Sequence, residues 1–328
     1  MTRFDSRRRV STYTSVWMPT GDETAQPVAA YFAGGSVSGV GSVSAILKLT
    51  FSTEAISTLS ATLTLSIRDA AGMANSGVAG YVAGGAGGSP DAVRSGIDKI
   101  TFPADTKSTL SATLTSARRG AKGMANSGTA GYISGGDNDA NTRYSNIDKI
   151  TFSTDGKSTL SATLTTARTQ MAALANSGTA GYIGGGFDGG YLSGIDKITF
   201  SSDSKSTLSA TFNSERNFHA SAANSGTAGY FAGGLTNGGN DLLSQIAKLT
   251  FSSDAVSVLS ATLSSARAYL DGAANTGVAG YFAGGNTSAG SQTTIDKLTF
   301  STETNSVLSA TLAPARGQVA TFADCGVF

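Results

Sequence analysis

The stretch "YISGGDNDANTRYSNIDKITFSTDGKSTLSATL" runs from Tyr132 to Leu164. Near its end, Gly156 to Thr159 spell "GKST", the last residues of the phosphate-loop pattern G-x-x-x-x-G-K-[ST]. That pattern needs its first glycine at position 151, which is Thr151. The same tail returns as "PADTKSTLSATL" from Pro103 and "SSDSKSTLSATF" from Ser201, both without the second glycine. A loop that cradles phosphate with its backbone amides cannot lose that residue. Lys157 therefore reads as a turn lysine, and no nucleotide is expected. The repetition itself carries the information.

Working outward, the aromatic-glycine signature recurs at Tyr31, Tyr81, Tyr132, Tyr182, Tyr230 and Tyr281, spaced 48 to 51 residues apart. After each comes a variable stretch, then "ILKLTF", "IDKITF", "IAKLTF" or "IDKLTF". A turn with one acid follows: Glu54, Asp105, Asp155, Asp203, Asp254 or Glu303. Then come "LSATL" or "LSATF", a linker with an arginine, and a small-residue segment such as "GMANSG". Each unit thus holds four short segments rich in β-branched, aromatic or small residues, separated by turn residues. That pattern predicts four strands per unit, and no stretch keeps a helical period.

Four-stranded units of this length match propeller blades. The order of segments resembles the kelch repeat over residues 27 to 328. Leucine stands where kelch repeats often carry a tryptophan before the fourth strand, so the resemblance is to a divergent version. The expected fold is all-β: a six-bladed propeller of four-stranded antiparallel blades. Unit one begins at its second strand, whereas the chain ends in a segment shaped like a first strand, about Gln318 to Gly326. That C-terminal strand is expected to complete the first blade and so remove exposed sheet edges. The expected division is an arm over 1–19 and the propeller over 20–328.

Composition narrows the function. The net charge is +1, which exerts no global pull on nucleic acid or membrane. With one cysteine, Cys325, the chain forms no internal disulfide. No run of 18 apolar residues exists, and the N-terminus lacks the apolar core of a secretory signal. The single histidine, His219, excludes the two-histidine copper site of kelch-fold radical oxidases and zinc sites built from His/Cys sets. The turns lack the sialidase S-x-D-x-G-x-x-W spacing, and the one tryptophan, Trp17, lies outside the repeats. An acid that recurs in every unit reads as architecture. The chain is expected to be no enzyme and to need no cofactor.

Several residue sets remain. The linker arginines Arg68, Arg118, Arg168, Arg216, Arg267 and Arg316 could form an axial anion-binding ring; the reading preferred here is that they lock neighbouring blades through backbone carbonyls. Adjacent strand residues face opposite ways, so Asp98, Asp148, Asp196 and Asp296 could pair with the lysines of "IDK" in adjacent blades, a ladder broken by Leu47 and Ala247. Asp137, Asp139 and Asn141 have part of a calcium-loop spacing, but Thr142 replaces its glycine. The variable loops (36–45, 86–96, 137–146, 187–194, 235–245 and 286–294) are where recognition is expected. Their distinctive residues are Asp91, Arg94, Arg143, Tyr144, Phe187, Tyr191, Asn237, Asn240 and Asp241. The arm offers Arg7, Arg8, Arg9, Tyr13 and Trp17 as a docking segment.

Low charge, near-identical blades and abundant Gly, Ser, Thr and Ala resemble propeller domains of bacteriophage virion proteins such as tail, fibre or capsid-decorating components. The resemblance implies a non-enzymatic structural protein, made in the host cytoplasm and carried in the virion. Its arm would dock on other structural proteins, and its loops would meet a cell-surface glycan or receptor. A soluble carbohydrate-binding lectin is the alternative, and a glycan-active enzyme the third class.

Overall fold

The computed structural model describes residues 29–236 and 241–324. The arm residues Arg7, Arg8, Arg9, Tyr13 and Trp17, together with Asn237, Asn240 and Cys325, lie outside the described residues. The described chain is all-β and contains no helix. It is a propeller of four-stranded antiparallel sheets.

The second unit shows the plan. Ala71–Asn75 pairs with Ala79–Ala83, which pairs with Ile97–Thr101, which pairs with Thr106–Thr109. Five such sheets stand alone. The first unit repeats the same order within an eight-stranded sheet: Ala320–Ala323, Ala29–Ala33, Gly41–Thr50, Ala55–Arg68. Short pairings at Ser36–Val37, Ala86–Gly87, Ala92–Val93 and Arg316–Gly317 extend this sheet over its neighbours. The C-terminal strand supplies the innermost strand of the first unit, with Ala30 opposite Ala323 and Ala33 opposite Ala320. The expected strand from Gln318 to Gly326 is thus four residues within that span.

Small residues in the inner strands follow from crowding. A Cβ on Gly72 would stand 2.1 Å from Thr321 O, and one on Gly123 2.2 Å from Gly72 O. Larger side chains there would push the sheets apart.

The antiparallel order puts two kinds of turn on one face, called the base: the Asn-Ser-Gly turns and the acidic turns. There the units join by one repeated contact. Each signature tyrosine is buried and stacks on the "ITF" or "LTF" phenylalanine of the next unit. The pairs are Tyr31–Phe102, Tyr81–Phe152, Tyr132–Phe200, Tyr182–Phe251, Tyr230–Phe300 and, closing the series, Tyr281–Phe51. Such a pair contributes about 0.5–1.5 kcal/mol beyond area burial. The tyrosine hydroxyl then donates to the turn acid of the next unit, as Tyr132 does to Asp203 at 2.8 Å. The lysine of the adjacent strand donates to the same carboxylate, Lys149 to Asp203 at 2.6 Å. The same pairing recurs around the molecule and ends with Lys297 on Glu54.

This corrects the expected Asp–Lys ladder. The "IDK" lysine reaches the turn acid of the next unit. The aspartate turns the other way and accepts from the linker of the preceding unit: Asp148 from Thr115 N at 2.9 Å and Thr115 Oγ1 at 2.6 Å. Lys157, the lysine of "GKST", donates to Thr115 Oγ1 at 2.6 Å beside that same aspartate. In its turn the left-handed residue is Asp155, at φ 53°.

Candidate functional site

The opposite face carries the variable loops and the linkers between units. At its centre the linkers form a closed cycle of backbone hydrogen bonds. Asp69 N donates to Gln318 O, Gly120 N to Asp69 O, Gln170 N to Gly120 O, Phe218 N to Gln170 O, Tyr269 N to Phe218 O and Gln318 N to Tyr269 O. All six residues have left-handed φ, from 50° at Phe218 to 63° at Gly120. For a non-glycine residue that conformation costs roughly 1–2 kcal/mol, which the cycle offsets by holding every amide in a bond. The result is a closed rim in which no two neighbouring side chains are alike.

Beneath the rim, Lys122 and Asp271 join at 2.8 Å. With His219 they bound a space of about 20 Å³, room for about one water. His219 is buried, and desolvation holds its imidazole well below the ordinary histidine range, with Arg216, Lys122 and Arg168 adding to the effect. Desolvation pushes the Asp69 carboxyl on the rim up to about 6, and nearby Lys122 and Arg68 oppose it.

Outside the rim lies a second variable tier. Each residue just before the rim bridges the first residue after a "GG": Arg119 with Asp137, Thr169 with Phe187, Asn217 with Leu235, Ala268 with Asn286. Over the third, fourth and fifth units this tier opens into a cleft of about 320 Å³. One wall is charged: Arg119 Nε meets Asp137 Oδ1 at 3.2 Å. Arg143 stacks its guanidinium 4.8 Å from the centre of the Phe187 ring and donates to Asp188 O at 3.0 Å. The other wall is aromatic, with Tyr191 5.6 Å from Phe187 and Phe218 3.9 Å from Tyr269, centre to centre. Thr169 is 1% and Asn217 3% exposed, yet Thr169 Oγ1 and Asn217 Oδ1 have no partner. Leaving such atoms unpaired costs about 1–3 kcal/mol each.

Of the residues singled out in the sequence, Arg143, Phe187 and Tyr191 meet in this cleft, with Asp137 and Asn141. Asp91 instead pairs with Arg68 at 3.0 Å, and Arg94 folds onto Gly87 O and Pro90 O. Tyr144 lies under the Arg118 guanidinium. Asp241 is exposed, and its carbonyl accepts from Thr236 N at 3.0 Å. Asp137 is engaged by Arg119 and Asp139 by Val93 N, so these acids do not converge with Asn141 on one ion. Among the described residues no group of three or more His, Cys, Asp or Glu could hold a metal.

Two points settle the arginine set. First, five side chains follow the preferred reading and lie between units, four of them on backbone carbonyls of the next unit. Arg118, Arg168, Arg216, Arg267 and Arg316 are buried, and bonds run to Gly135 O, Ile183 O, Phe282 O and Gly34 O from Arg118, Arg168, Arg267 and Arg316. Arg168 and Arg267 also meet Asp196 and Asp296, while Arg118 lies 3.5 Å from Asp148. Second, Arg68 is not a member. It bridges Ala86 as Arg119 bridges Asp137, so the position equivalent to Arg118 is Ile67. In the fifth unit Ala247 replaces the aspartate, and desolvation pushes Arg216 down to about 10.

Sequence reasoning missed Arg119, Thr169, Asn217, Phe218 and Tyr269. Their signal was present: the pair of residues after each buried arginine is different in every unit, although the residues around it repeat. Neither profiles of known protein families nor curated proteins match the chain.

Proposed function

We propose that this is a six-bladed, kelch-like propeller acting as a non-enzymatic binding module, and that its loop-face cleft takes a saccharide. One observation carries the reading: four aromatic side chains line one cleft together with the polar residues Thr169 and Asn217. A sugar ring offers both complements, an apolar C–H face for Phe187, Tyr191, Phe218 or Tyr269 and hydroxyls for Thr169 and Asn217. Asp137 is the carboxylate lining this cleft, and it is engaged by Arg119. Hydrolysis of a glycosidic bond ordinarily needs two carboxyl groups, so binding without turnover is the expected behaviour. By the sequence resemblance, the parent assembly is a phage particle, with the arm over 1–19 as the anchor.

The test is a glycan-array screen of the whole protein, followed by titration of any hit against Tyr191→Ala and Asn217→Ala. Loss of at least tenfold in affinity in both variants, with unchanged melting, supports the reading. Binding that ignores both substitutions, or no glycan bound at all, sinks it. A companion experiment deletes residues 1–19. Melting should hold while incorporation into the parent particle fails; a truncated chain that still assembles would move the anchor elsewhere.

A further inference from the structure

The slot between neighbouring units is filled by an arginine in five places and by Ile67 in the sixth. Its usual contents are a guanidinium, an aspartate and a threonine pair. In the fourth unit Asp196 accepts from Thr165 and Thr207, holds Arg168 Nη2 at 2.9 Å and has Lys205 at 3.7 Å. The second unit keeps every part except the arginine. Asp98 accepts from Thr64 N, Thr64 Oγ1 and Thr109 Oγ1, with Lys107 at 3.7 Å. Where the guanidinium belongs, a cavity of about 210 Å³ remains. Ile67, Val82 and Arg94 wall it, the Arg94 guanidinium being held on Gly87 O and Pro90 O, and Asp98, only 7% exposed, lies inside. Leu65, 40% exposed, marks its outer lip.

We propose that this cavity binds an alkylguanidinium group, carried by an arginine side chain of another protein or by a free small molecule. The protein itself supplies the precedent. In the third and fourth units one aspartate carries both a lysine and an arginine, so Asp98 with Lys107 alone is half-loaded. A planar fork suits the one remaining lone pair on Asp98 Oδ2 together with the adjacent backbone carbonyls better than an ammonium does. The two units that lack the aspartate keep their arginines, Arg216 and Arg316. The second unit alone has the carboxylate without the arginine.

The experiment titrates propylguanidinium, and separately propylammonium, into the full-length protein and follows Tm. A saturable rise of about 2 °C with the guanidinium, and a clearly smaller one with the ammonium, is expected. Ile67→Arg should fill the slot from within, melt higher than the native chain and lose the response. Asp98→Asn should fold and also lose it. No response in the native chain, or a full response in either variant, overturns the proposal. If Ile67→Arg does not fold, Asp98→Asn decides alone. An arginine-bearing hexapeptide that competes with propylguanidinium assigns the slot to a protein partner. Failure to compete assigns it to a free alkylguanidine.

Discussion

The base and the loop face are built from the same units, yet they vary by opposite rules. On the base every unit makes the same tyrosine stack and the same two bonds to a turn acid, including the pair that joins Tyr281 and Lys297 to the first unit. On the loop face the backbone repeats as faithfully, in a closed cycle of amide bonds. The side chains on that cycle are Asp69, Gly120, Gln170, Phe218, Tyr269 and Gln318, no two neighbours alike. Stability is therefore concentrated where side chains repeat. Freedom to vary is concentrated where only the backbone repeats.

The comparison breaks most easily at the seam. Removing residues 318–328 takes away the strand paired with Ala29–Ala33 and exposes the edge of that strand. Loss of cooperative melting or conversion to oligomers is expected by calorimetry and size-exclusion chromatography. A monomer with an unchanged melting curve would refute the closure. Next in size is Gly72→Ala, whose new Cβ would meet Thr321 O at 2.1 Å. Urea unfolding should show a loss of about 1–3 kcal/mol.

A smaller effect is expected on the base at Lys149→Met. It removes one of the two donors on Asp203, and it should cost about 1 kcal/mol by the same assay. Tyr191→Ala on the loop face should change stability by less than about 0.5 kcal/mol. Equal losses at the two positions would erase the distinction between the faces.

The finest test is one of sign. Burial raises the carboxyls of Asp148 and Asp196, but hydrogen bonds from Thr115 and Thr165 and the nearby arginines outweigh it and hold both below the ordinary range. Their contribution is present above about pH 4 and is lost as pH falls. Asp69 runs the other way. Its carboxyl is pushed up to about 6, so its contribution is present below about pH 4 and is lost as pH rises through about 6. Asp69→Asn should melt higher than the native chain at pH 8, with the gap closing by about pH 4. A gap that widens on acidification would reverse the assignment.

The fold was legible because it is written six times: strand number, turn positions and the C-terminal closure all follow from matching units to one another. What misled was register. Counting one arginine per linker selected Arg68, whereas aligning Gly72 with Gly123 sets Arg68 beside Arg119 and leaves Ile67 opposite Arg118. The partner of each "IDK" lysine was not legible, since it depends on how far one unit is displaced against the next. The cleft was half legible. Arg143, Phe187 and Tyr191 stand out in variable loops, but Thr169, Asn217 and Phe218 come from linkers, and only three-dimensional packing brings the sets together.

The seam also has a mechanical consequence. Ala29 and Asp324 leave the same end of the closing strand pair, where Asp324 N and Ala29 N each bond to the other residue. Force applied to both ends at once would load that pair one bond at a time, as a zipper opens, and not in shear across all its bonds together. Tethering at both ends would therefore peel the seam apart under load, whereas tethering at one end would leave it without tension.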